Sequence, residues 1–75
     1  MSYQPMTNAG QYRLGLLNVM ATDAPKVALT LLGVIAEVDG APADRVDYLR
    51  GLLERKAQGE PVPAVDIYAA LEGLR

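Results

Sequence analysis

Two reactive residue types are missing altogether: the 75-residue chain contains no cysteine and no histidine. Without cysteine there is no disulfide framework and no thiolate nucleophile, and without either residue the usual zinc ligands are gone. Histidine is also the commonest general base at neutral pH, so Ser2, Thr7, Thr22, Thr30 and the tyrosines have no such base to activate their hydroxyls. No glycine run has the spacing that cradles a phosphate. The carboxylate pairs Asp44/Asp47 and Glu37/Asp39 lack the ligand density of a calcium loop and read as solvated faces. No catalytic, cofactor-binding or metal-ligating residue is assigned, and an enzyme is not expected.

Basic charge is scarce as well. Seven Lys and Arg stand against nine Asp and Glu, a net charge of −2, whereas nucleic-acid binders normally carry a basic field. Long apolar runs are missing too. The most apolar stretch, Ala24 to Val38, is about fifteen residues, short of the roughly 20 that span a bilayer, so no membrane partner is expected. The opening MSYQPMTNAGQ has neither a charged n-region nor an apolar h-region, which sets a cytoplasmic location as the expectation.

What the chain does have is aliphatic side chains. Apolar residues make up 51% of it, with four tyrosines as the whole aromatic content. One domain of this size has a marginal core, and nothing here staples it. The apolar surplus therefore favours a homodimer or a bound partner.

The patterning predicts a compact all-α bundle of four short helices. Met1 to Met6 holds Pro5 and no periodicity, and reads as a flexible tail before a single helical domain over 7–75. Thr7 or Asn8 caps a first helix that runs to about Ala21. Its apolar stripe is Ala9, Tyr12, Leu16, Val19 and Met20, widened by Leu14, Leu17 and Ala21. Pro25 suits the first turn of a second helix, with Thr22 or Asp23 available as its cap. That helix is apolar around almost its whole circumference. Only Lys26, Thr30, Gly33 and Glu37 break the pattern, on one narrow stripe, so it is expected to be central and buried.

Gly40 and Pro42 then end one helix and open the next. The third helix, about Ala43 to Gln58, sets Val46, Leu49, Leu52 and Leu53 against an outer face carrying Asp44, Arg45, Asp47, Arg50, Glu54, Arg55 and Lys56. Tyr48 is on the margin. Asp47–Arg50 and Arg50–Glu54 are expected as helix-neighbour ion pairs. Gly59 stops this helix, and Glu60-Pro61-Val62-Pro63 must be extended, because a residue before proline is pushed out of the α region. A fourth helix, Ala64 to about Leu74, is too short to persist unaided. Its face of Ile67, Tyr68, Leu71 and Leu74, with Val62 ahead of it, is either a core element or a docking element for a partner's groove. Tyr48, Val62, Ile67, Tyr68, Leu71 and Leu74 are the candidate partner-binding residues.

Two further readings bear on function. Helix, short glycine turn, helix over Leu29 to Lys56 offers a degenerate helix-turn-helix, but the leading residues of its second helix include Asp44 and Asp47, which repel phosphates. The segment Gly59-Glu60-Pro61-Val62-Pro63-Ala64, followed by Ile67, Leu71 and a final arginine, resembles the tails of some bacterial type II antitoxins, over residues 59–75. The rest departs from those families, with no basic ribbon-helix-helix strand. As a whole the chain is similar in kind to small acidic all-helical antiactivators and phage-type inhibitors of bacterial mobile elements. The resemblance implies a regulator that sequesters or inhibits a protein partner, a transcriptional activator or a toxin. A DNA-binding module or a subunit of a larger assembly are the alternatives.

Overall fold

A computed structural model describes residues 7–75, and the expected tail over 1–6 lies outside the described residues. Four helices follow one another: α1 (Asn8–Asp23), α2 (Pro25–Val38), α3 (Ala43–Ala57) and α4 (Ala64–Glu72). Their principal contacts close a ring, α1 on α2, α2 on α3, α3 on α4 and α4 on α1. The all-α bundle read from the sequence is the fold observed.

The helix ends follow from local chemistry. Thr7 caps α1 through its hydroxyl, which accepts from the Gly10 amide at 3.3 Å. The corner between α1 and α2 is tighter than expected. Thr22 and Asp23 stay inside the last turn of α1 rather than capping α2, and a single residue, Ala24, joins the helices. The Ala24 amide donates to the Met20 carbonyl at 2.7 Å, and its own carbonyl accepts from Ala28 at 2.9 Å. No side-chain cap is present, and Pro25 at the start of α2 has no N–H to leave unpaired.

Gly40 and Gly59 both adopt positive φ, +66° and +91°. At Gly59 the chain closes a Schellman motif: the Glu60 amide donates to Arg55 and the Gly59 amide to Lys56, each at 3.0 Å. Pro42 and Pro63 stand just before α3 and α4, and their carbonyls accept from Val46 at 2.9 Å and Ile67 at 3.4 Å.

One apolar cluster lies inside the ring. It takes Leu14, Leu17 and Ala21 from α1, Ala28, Leu32 and Ile35 from α2, and Val46, Leu49, Leu52 and Leu53 from α3. Ile67, Ala70, Leu71 and Leu74 complete it from the C-terminal segment. Among the described residues no polar or charged residue belongs to this core.

Two faces differ from expectation. On α1 the inward stripe is Gly10, Leu14, Leu17 and Ala21, while Tyr12, Leu16 and Val19 turn out. Both stripes are apolar at helical spacing, so only one can face the core. Burying Tyr12 would demand a partner for its hydroxyl, whereas Leu14 and Leu17 need none. On α2, Val27, Val34 and Val38 are exposed, so the helix is buried on one side instead of all round. In a ring each helix is shielded only by two neighbours and the centre, and its outer half stays open.

Leu32 is fully buried. Leu32→Ala is expected to destabilise the protein by about 2–5 kcal/mol in denaturant melting, as large-to-small core changes do. The C-terminal helix is equally part of the core. Ile67→Asp with Leu71→Asp leaves buried charge without a partner, which costs several kcal/mol per site. Circular dichroism of this double variant should show loss of the cooperative transition, in contrast to a fold that survives without α4.

Candidate functional site

Arg13 is the lone charged residue of α1 before its last position, Asp23, and it reaches 26 residues along the chain to Asp39, just past the end of α2. Its Nε donates to Asp39 Oδ2 at 2.8 Å and its Nη2 to Asp39 Oδ1, so both carboxylate oxygens are engaged in one fork. The Asp39 side chain is only 3% exposed. Hydrogen bonding and charge from Arg13 hold its pKa below the usual carboxylate range, against the opposing effect of desolvation. A carboxyl with a lowered folded pKa stabilises the fold above its unfolded value of about 3.9 and loses that contribution as pH falls through the folded value. Asp39→Asn should therefore lower the urea midpoint at about pH 7, and the gap to the parent should narrow progressively as the solution is acidified below the ordinary carboxylate value of about 3.9. A gap that persists unchanged in acid would assign the loss to packing.

The six candidate partner-binding residues separate into two groups. Ile67, Leu71 and Leu74 are in the protein's own core, and Val62 is half-buried against it. The apolar stripe of α4 is thus used internally. Tyr48 and Tyr68 remain outside, 61% and 54% exposed. They are not brought together: Tyr48 borders a cleft between α3 and α4, and Tyr68 is off the stripe of α4 that lines it.

That cleft has a volume of about 380 Å³ and is walled by Asp44, Arg45 and Tyr48 from α3 and by Asp66, Ala69, Ala70 and Gly73 across from them. Arg45 spans it at one end, donating through Nη1 to the Gly73 carbonyl at 2.6 Å. A second cleft of about 320 Å³ continues the seam past Asp66, between Leu52 and Arg55 on one side and the extended Glu60–Pro63 on the other. The cleft thus sets one tyrosine ring between charges of both signs. Among the described residues no group of three or more Asp or Glu side chains gathers to hold a metal ion.

The exposed leading turn of α3 keeps Asp44 and Asp47 outward, with Arg50 bound to Asp47 at 2.7 Å instead of Glu54. Of the two ion pairs expected on this helix, Asp47–Arg50 is the one that forms. Among the described residues no helix is long and apolar enough to cross a membrane. Sequence reasoning missed the Arg13–Asp39 bridge and the outward apolar face of α1. The signal for the first was Arg13 itself, an isolated charge in a helix otherwise uncharged from Asn8 to Thr22. No protein-family model, curated protein or solved structure matches this chain.

Proposed function

We propose that this chain is a small regulatory protein that works by protein–protein contact, sequestering or inhibiting a protein partner such as a transcriptional activator or a toxin. The observation that carries the reading is the α3/α4 seam. Tyr48 stands exposed beside a cleft whose walls hold Asp44, Arg45 and Asp66. A large amphipathic ring set among charged groups is the composition of an interface anchor with a polar rim. Tyr68 and Val65 add apolar surface on the outer side of α4. The acidic leading turn of α3 supports a protein partner over a nucleic acid, since Asp44 and Asp47 oppose phosphate.

Binding is tested by affinity capture from the source cells with the parent and with Tyr48→Ala, helicity being monitored in parallel. The parent should retain a protein whose activity falls when the purified chain is added back. Tyr48→Ala should weaken that complex by about 2 kcal/mol or more at unchanged helicity, as truncation of an interface anchor does. Tight, sequence-specific binding of a DNA duplex at physiological salt, with no protein retained, would replace this reading with that of a DNA-binding module.

A further inference from the structure

Among the described residues, six of the nine large apolar side chains that stay exposed belong to α1 and α2, across the ring from the α3/α4 seam. Tyr12, Leu16 and Val19 of α1 and Val27, Val34 and Val38 of α2 are all exposed. Helix geometry joins them into one face. Arg13 points to α2, and Leu16 and Met20, three and seven residues on, continue its flank. Gln11, on the opposite flank, accepts a hydrogen bond from Arg75 beyond α4. For two right-handed helices running antiparallel, this sets the Leu31 flank of α2 toward α1 and the Leu29–Ala36 flank toward α3. Val27, Val34 and Val38 are four before, three after and seven after Leu31, so they open onto the same outer surface as Leu16.

We infer that this face is the contact between two copies of the chain, packed about a twofold axis that lays α2 antiparallel on its own counterpart. Two observations select a second copy as the occupant. The first is charge. Lys26 and Glu37 edge the face eleven residues apart, three turns along one side of α2, and among the described residues neither has an ion-pair partner. Antiparallel packing centred between Leu31 and Leu32 brings Lys26 of each copy to Glu37 of the other, twice over, whereas parallel packing sets like charges together. Thr30 and Gly33 lie between them on the same stripe, so no bulky side chain separates the two charges along that edge.

The second observation is area. From their exposures the six apolar residues present roughly 600 Å² per copy, so a twofold contact that covered them fully would bury roughly 1,200 Å², against the roughly 1,000 Å² that a specific interface clears. The α3/α4 seam, across the ring, stays accessible in such a dimer.

Sedimentation equilibrium of the parent should show a monomer–dimer system. Val34→Glu, at a position already 41% exposed, should give a monomer with parent-like helicity. Charge exchange identifies the arrangement. Lys26→Glu alone and Glu37→Lys alone each set like charges across the axis and should raise the dimer Kd by about tenfold or more. The two changes together restore opposite charges at both contacts and should return the Kd to near the parent value. A parent that stays monomeric up to about 100 μM, well above a micromolar Kd, overturns the inference and leaves the face to a different protein. A dimer unmoved by Val34→Glu, or one that the double exchange does not restore, overturns it as well.

Discussion

Arg13 and Asp39 hold the open end of a hairpin whose other end is the single residue Ala24. With both ends fixed, α1 can neither slide nor roll against α2, and the roll decides which of its two apolar stripes enters the core. Arg13 directed at α2 carries Leu14 and Leu17 inward and Tyr12, Leu16 and Val19 outward. The fork satisfies both oxygens of a carboxylate almost removed from water, which is the condition under which a shielded ion pair holds its geometry instead of penalising it. Inner packing and outer surface are thus settled by the same contact.

The helix boundaries were legible in the sequence because the residues that set them act on their own neighbourhood. Gly40 and Gly59 supply the left-handed turns, Pro25 opens α2, Pro42 and Pro63 precede α3 and α4, and Thr7 caps α1, each within four residues of its effect. The roll of α1 was not legible. Two stripes of similar hydrophobicity compete on that helix; the Tyr12 hydroxyl favours the outside, but the contact that fixes the roll joins residues far apart in the chain. The exposure of α2 was hidden for a related reason. An all-round apolar helix reads as enclosed, but a ring of four offers each member two neighbours, so Val27, Val34 and Val38 have no intramolecular cover.

The candidate site shows the same division. In the C-terminal arm, spacing alone does not distinguish a stripe that seats on the chain's own core from one offered to a partner, and Ile67, Leu71 and Leu74 are seated. Length decides it: a nine-residue helix has too few backbone hydrogen bonds to hold itself, so its stability comes from docking, and its own core is the nearest apolar surface. Tyr48 and Tyr68 stay outside because a phenol hydroxyl is most easily satisfied by water at the rim. The α3/α4 clefts were not visible in sequence, since their walls come from segments joined only by the fold.

The apolar surplus in the composition now has an account in space. The core takes fourteen residues, and the large apolar side chains left over are concentrated on the α1/α2 face. On the two proposals made above, the surfaces differ as a lasting and an exchanging interface would. The α1/α2 face is broad and apolar, with its edging charges self-complementary, as suits copies that remain together. The α3/α4 seam sets a tyrosine among acids and arginines, the polar kind of contact that the proposed exchange of a partner would use. Because the ring places them on opposite sides, association through the first leaves the second open on each copy. A dimeric partner could then be held at two points, and its capture strengthened by effective concentration alone, with no additional contact at either seam.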